Sequence, residues 1–291
     1  MDKKRIAVIG AGRLGKSLAY QLKAAGHNVI GIACRNAESS AKAAELTGIA
    51  CDSALKLTAL AEVVFLTVPD DSLQDVCARL ALNGDPRLGT VVLHCSGSRP
   101  SSVLKTAKTA GAFTASLHPL QSFSGFDKDA NPFLNVNFTV EGEPQAVALA
   151  SGLAMDLGAA RCYTIDTQGK VLYHAAAVAA SNYLVTLFNM AAALLAKSGI
   201  AKDDAFTVLA PLLNGTLKNL ADNAPYYEMA LTGPITRGDA EVVAAHLAAM
   251  RAKVPETVEL YQALGLATVE VARAQGSLND EQAAKLIAIL A

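Results

Sequence analysis

Within its first fifteen residues the chain passes from an unbroken apolar run, Arg5-Ile6-Ala7-Val8-Ile9, into Gly10-Ala11-Gly12-Arg13-Leu14-Gly15 and then into a stretch, Arg13 to Ala25, that reads as a helix. Few backbones satisfy that order. Gly10 permits a sharp turn out of a strand, Gly12 removes a side chain where the backbone must approach another group, and Gly15 lets helix and strand pack closely. The unpaired amides at the helix start attract phosphate charge. Together Gly10, Gly12, Arg13, Leu14 and Gly15 predict a βαβ unit whose first turn holds the diphosphate of a dinucleotide, a purely structural glycine turn being the alternative. Twenty residues past Gly15, where a carboxylate would meet the ribose hydroxyls of NAD, stands Cys34-Arg35-Asn36. Arg35 can donate two parallel hydrogen bonds to a 2′-phosphate, with Asn36 beside it, so the expected cofactor is NADP. A solvated loop charge is the alternative for Arg35.

The pattern set by this unit repeats. Short β-branched runs are expected as strands at Arg5 to Ile9, Asn28 to Ala33, Val63 to Val68, Thr90 to His94, Phe113 to Ser116, Asn137 to Val140 and Cys162 to Ile165. Helical stretches separate them, at Ala37 to Leu46, Ser72 to Leu80, Ser101 to Lys108 and Pro144 to Leu157. Such alternation predicts an α/β fold with a doubly wound, mainly parallel sheet. After Asp166 the reading is helix upon helix: Gln168 to Lys197, Lys202 to Ala221, Asp239 to Lys253, Pro255 to Gln275 and Asp280 to Leu290. Two domains follow, 1–166 binding the nucleotide and 167–291 all-α, with the cleft between them as the default ligand site.

Composition narrows the classes of partner. With 25 Lys+Arg against 26 Asp+Glu the net charge is -1, which lacks the basic excess of a nucleic-acid binder. Five cysteines, spaced singly, form neither a disulfide framework nor a zinc motif, so no metal is expected and a reducing, cytoplasmic setting is. The start, MDKKRIAVIG, carries basic residues, but glycines and Arg13 cut its apolar run, unlike a signal peptide, and the mature chain is expected to begin there. Val171 to Ala196 holds 26 positions without a charged residue, enough to span a bilayer. His174, Ser181, Asn182 and Asn189 interrupt it, and a helix buried inside a domain or a dimer interface is expected instead.

Chemistry needs a group for the proton that accompanies a hydride. Val68, Pro69 and Asp70 follow a buried strand and are expected beside the cofactor, as is Ser96 in His94-Cys95-Ser96-Gly97-Ser98, although that loop also reads as a plain turn. His118, placed just past a strand in His118-Pro119, suits an acid or base through its near-neutral pKa, or is structural. Lys170 and His174 lie one helical turn apart, and Asn182 continues their stripe; a solvated lysine beside a core histidine is the alternative. Gly233-Pro234-Ile235-Thr236-Arg237-Gly238-Asp239 reads either as an anion or partner contact or as a turn whose Asp239 caps the next helix.

Gly10 to Gly15, His118-Pro119-Leu120-Gln121-Ser122-Phe123, Lys170 through Tyr173-His174 to Ser181-Asn182-Tyr183, and Gly233 to Asp239 together resemble a Rossmann-like family with a C-terminal domain of unknown function. Its members are named only provisionally as NADP oxidoreductases. The resemblance spans nearly the whole chain. It implies an NADP-type Rossmann domain, a helical domain similar to that of 6-phosphogluconate dehydrogenase, and homodimers built through the helical half. His118 is similar in place to the substrate-contacting histidine of prephenate dehydrogenases. Lys170 matches the lysine of β-hydroxyacid dehydrogenases, but His174 stands where their asparagine would be, a departure from that reaction's pattern. Pyrroline-5-carboxylate reductase is similar in architecture, yet its Ser/Thr-Pro-Gly-Gly-Thr signature is absent here.

The expected function is NADP-dependent oxidoreduction of a small carbonyl, hydroxy or imino compound. His118 or Lys170 would handle the proton, and Asn182 or His174 would orient the substrate. A non-catalytic NADP sensor is the alternative.

Overall fold

In the computed structural model, which describes residues 2–84 and 86–291, the apolar runs form the strands of one sheet. The first half alternates β1 (Arg5–Ile9), α1 (Arg13–Ala24), β2 (Asn28–Ala33), α2 (Ala37–Thr47), α3 (Ala54–Leu60), β3 (Val63–Leu66), α4 (Leu73–Asn83) and β4 (Val91–His94). It continues with α5 (Lys105–Thr109), β5 (Phe113–Pro119), β6 (Asn137–Gly142), α6 (Pro144–Asp156) and β7 (Arg161–Thr164). The strands lie in the order β2-β1-β3-β4-β5-β6-β7. Every pair is parallel except β5 with β6. β3 and β4 are buried at every position, which is why they read as continuous apolar runs rather than alternating ones.

Helices cover both faces. Leu18 and Leu22 of α1 share a core with Ala146, Ala150 and Leu153 of α6, while Leu57, Leu73, Cys77, Leu80 and Leu104 pack the opposite face. The doubly wound α/β expectation is met. Because the chain leaves β1 toward β2 and returns past it to β3, the strand order reverses beside Gly10, the usual place for a ligand crevice.

Three details differ from the sequence reading. α3 is not expected from periodicity; its seven residues are too few to show a period, and it is set by Ser53, whose hydroxyl accepts from the Lys56 amide at 3.2 Å. The helix expected at Ser101 to Lys108 is a 3-10 turn, Ser101–Leu104, followed by α5. β5 runs on to Pro119 instead of ending at Ser116, because β6 supplies an antiparallel ladder beyond the end of β4.

The chain divides into two compact units, the first ending at Ser181 and the second beginning at Asn182. α7 (Lys170–Ala180) belongs to the first unit because its side chains are bonded to the sheet. The second unit contains α8 (Asn182–Lys197), α9 (Ala205–Asp222), α10 (Ala240–Lys253), α11 (Val258–Gln275) and α12 (Asp280–Leu290). Its core is Val243, Leu247, Val269, Ala283, Leu286 and Leu290, and a capping box between Asn279 and Gln282 starts α12. Only Ala192 is buried in α8 and only Ala205 in α9.

That exposure bears on the expectation of a helix buried inside a domain, and leaves the dimer interface as the other part of that expectation. Lys170–Lys197 is long and apolar enough to cross a membrane by length and composition, but only 6% of its most apolar window is buried within the chain. Its first half is nonetheless committed to the sheet, through Lys170 to Ser116 and Tyr173 to His118.

Candidate functional site

The glycine turn is built by contacts that leave no choice at two positions and free choice at the third. Gly10 has φ +118°, and a Cβ there would lie 2.5 Å from the Thr67 carbonyl oxygen. Thr67 locks the turn by donating its amide to Ile9 at 2.9 Å and its hydroxyl to the Gly10 carbonyl at 2.7 Å. A Cβ on Gly15 would overlap the Gly10 carbonyl. At Gly12 a Cβ would meet no protein atom within 4 Å. The space above Gly12 therefore has no occupant from the protein, the arrangement that backbone approach to a diphosphate requires.

That space is part of a cavity of about 840 Å³. Gly10, Gly12, Arg35, Val68 and Pro69 are among its walls, as expected. The other expected cofactor residues have different places. Asn36 caps α2, its Oδ1 accepting from the Ser39 amide at 2.8 Å. Arg13 donates to the Phe123 carbonyl at 3.4 Å, and Leu14 packs on the core. Asp70 and Ser96 stand together instead of lining the cavity: the Asp70 carboxylate accepts from Ser96 at 2.7 Å and from Ser98 at 2.8 Å. Ser96 also accepts from the Ser98 and Arg99 amides, so the Ser-Gly-Ser loop is a bonded structure.

A second assembly lies along the same carboxyl edge of the sheet, at the end of β4 and β5. Lys170, 1% exposed, donates from Nζ to the Ser116 hydroxyl and stands 3.9 Å from Glu141. Ser116 faces Glu141 across the β5–β6 ladder. Glu141, also 1% exposed, accepts from the Ser101 amide and hydroxyl, both at 2.7 Å, and from Thr167 at 3.0 Å. Burial draws the Lys170 pKa below that of a free lysine, and the charges of Glu141, Cys95 and Asp70 oppose the shift. The solvated-lysine alternative is excluded by this burial.

His118 stands within β5, opposite Thr139, and not past its end. Its Nδ1 is 2.8 Å from the Tyr173 hydroxyl, and its ring meets that of His174 edge-on with centroids 6.3 Å apart. Burial first, then the neighbouring Lys170 and His174 charges, push its pKa down to about 4 against a weaker pull from Asp70. Its surroundings therefore favour the uncharged imidazole, the form that can accept a proton, over the near-neutral titration expected of it. His94, wholly buried, is pushed down to about 3, chiefly by burial; its Nδ1 accepts from the Ser96 amide at 3.1 Å and its Nε2 has no partner. Gly97 separates the rings, and a Cβ there would come within 2.6 Å of His174 Nδ1 and 2.9 Å of His118 Nε2.

The structure thus brings His118, Lys170 and His174 together. Asn182 is not in this group: the helix breaks at Ser181, and Asn182 opens α8 in the second unit with its side chain exposed. In the Gly233 to Asp239 loop, Asp239 accepts from Arg237 at 2.9 Å and makes no side-chain cap bond to α10. Glu141, Ser116 and Tyr173 are not among the candidate site residues read from the sequence, although Ser116 and Tyr173 fall within segments named there. Only Tyr173 carried a signal, its place between Lys170 and His174 on one helix.

Known proteins share this fold. A Rossmann-like domain model matches residues 2–119, and the model of DUF2520, a domain of unknown function, matches 136–268. An NADP oxidoreductase from Bacteroides fragilis, so named only provisionally, is 24% identical with TM-score 0.74, over 92% of this chain and 98% of its own. A protein from Thermotoga maritima is 27% identical with TM-score 0.68, over 93% and 99%. A pyrroline-5-carboxylate reductase from Coxiella burnetii is 14% identical with TM-score 0.59, over 96% and 100%, and shares the fold. The DUF2520 match begins at β6, so the strand carrying Glu141 and the helix carrying Lys170 fall in the same family domain. The two matches follow one another along the chain, a Rossmann-like domain first and a DUF2520 domain second.

Proposed function

We propose that the chain is an NADP-dependent oxidoreductase acting on a small carbonyl, hydroxy or imino compound. The observation that carries this reading is the pairing, on one edge of the sheet, of a glycine turn open to a diphosphate with a buried lysine of lowered pKa. Gly10 and Gly12 would hold the diphosphate and Arg35 the 2′-phosphate. When bound, the nicotinamide supplies or accepts the hydride.

The chain's own residues handle the rest. Lys170 Nζ is the group that holds and moves a proton at the substrate heteroatom, and Glu141 keeps its charged form accessible in a dry site. With the Tyr173 hydroxyl donating to Nδ1, uncharged His118 would carry its proton on Nε2 as a hydrogen-bond donor, and His174 would orient the substrate beside it. Incubation with NADPH and a panel of keto and imino acids, followed by nicotinamide absorbance, tests the reading. Lys170→Ala is expected to lower turnover by about 10²- to 10⁴-fold with nucleotide binding retained. Turnover unchanged in that variant would refute Lys170 as the proton carrier.

One observation favours a second reading. The Lys170 ammonium is already occupied by Ser116 and Glu141 and almost sealed from solvent, as a structural clamp would be. A non-catalytic NADP sensor would bind NADPH tightly and turn over nothing in the panel.

The exposed apolar side chains of α8 and α9, Val185, Phe206 and Leu212 among them, support a second copy of the chain as partner. The five free cysteines support a reducing, cytoplasmic setting.

A further inference from the structure

We infer that Arg79, on α4, is a second guanidinium for the 2′-phosphate and shares with Arg35 the discrimination of NADP from NAD. The inference rests on the reading above that the cavity holds NADP. α4 is two-sided: Leu73, Cys77 and Leu80 are buried in the core, whereas Ser72, Asp75, Val76 and Arg79, spaced three and four apart, form one stripe along the cavity wall. Arg35, from the end of β2, stands on the wall of the same cavity, with Ser39 and Ser53 also contributing to its lining.

Ion pairing and the cavity wall together single these two residues out: Arg13, Arg87, Arg161 and Arg251 also lack a carboxylate partner among the described residues, but of the unpaired arginines only Arg35 and Arg79 line the cavity. Arg5, Arg99, Arg237 and Arg273 each stand within ion-pair distance of a carboxylate. Among the described residues neither Arg35 nor Arg79 does, although Asp75 is only one turn before Arg79. Two unpaired guanidiniums facing one cavity suit a group that carries two negative charges and several acceptor oxygens. A ribose 2′-hydroxyl offers no such charge. Asp75 adds one negative charge to the wall, which a single arginine would only balance. With both arginines the wall keeps a net positive charge toward the phosphate.

The test is a set of binding titrations of the full chain with NADPH and with NADH. Arg79→Ala is expected to weaken NADPH by about tenfold or more while NADH changes by less than about twofold. Arg79→Lys should recover part of the loss, since a lysine keeps the charge without the planar fork. Asp75→Asn should leave NADH unchanged and tighten NADPH. The salt dependence of NADPH affinity should become shallower in Arg79→Ala. Because Arg79 is exposed, an unchanged melting temperature will show that the variant folds.

Parallel losses for both nucleotides, or no loss for either, would overturn the role of Arg79 and leave the NADP reading standing if the unaltered chain still prefers NADPH. Weakened NADH in Asp75→Asn would overturn it differently, by assigning the wall to ribose hydroxyls. An unaltered chain that binds neither nucleotide would bring down both the inference and the reading it rests on.

Discussion

Gly12 adopts φ -66° and ψ -172°, an extended backbone open to any residue, and a Cβ there would touch nothing. The fold therefore does not demand its lack of a side chain, which fits the proposed diphosphate site. Gly15 is the opposite case, since its Cβ would overlap the Gly10 carbonyl. Gly12→Ala should keep the melting temperature near that of the unaltered chain and weaken NADPH by about 10²-fold, through lost backbone approach. Gly15→Ala should destabilise the chain by about 1–3 kcal/mol in urea unfolding, because helix and turn must separate. Equal destabilisation by both substitutions would contradict the assignment of Gly12 to a ligand. The sequence made all three glycines legible through their spacing, but their separate reasons became visible only with Thr67 in place, 57 residues from Gly10 along the chain.

At the scale of elements, α7 is held to the sheet by one buried cation and its carboxylate. Lys170 reaches Ser116 on β5 and Glu141 on β6, and Glu141 draws Ser101 and Thr167 to the same point. Removing one charge leaves the other buried without compensation. Glu141→Ala should cost about 3–5 kcal/mol of stability, while Lys170→Met combined with Glu141→Gln should recover much of that loss. Denaturant midpoints of the two variants check the claim; a double variant no more stable than Glu141→Ala would show that the pair is not coupled. Such a link explains why the boundary lies at Ser181. Sequence periodicity marks where strands give way to helices, at Asp166, but it carries no information on which body the first helix joins. Glu141 shows the same limit: one acidic residue in an apolar strand reads as a surface position until its partners arrive from a turn and a helix.

For the whole molecule, the two units differ in how they are stabilised. The α/β unit covers both faces of its sheet with helices, a three-layer arrangement with a core on each side. In the second unit the buried cluster comes from α10, α11 and α12, and α8 and α9 leave Tyr183, Val185, Phe206, Leu212 and Leu217 exposed. A surface of that kind is costly in water unless covered. Light scattering is expected to give twice the chain mass at micromolar concentration. Val185→Asp with Phe206→Asp should shift it toward the single chain while leaving NADPH affinity within about threefold, because Gly10, Gly12, Arg35 and Arg79 are in the other unit. A single chain mass in the unaltered protein at that concentration would refute the second-copy partner.

The amino-acid sequence alone determined the alternation of strands and helices, the nucleotide-binding turn and the fold class, because each rests on local periodicity or on glycines spaced a few residues apart. It also placed Lys170 and His174 on one helical face. The burial of that lysine, the uncharged state of His118, the two-arginine wall and the bare faces of α8 and α9 were decided by tertiary structure. Each of these depends on desolvation or on the approach of groups far apart in the chain, and neither quantity exists until the chain has packed.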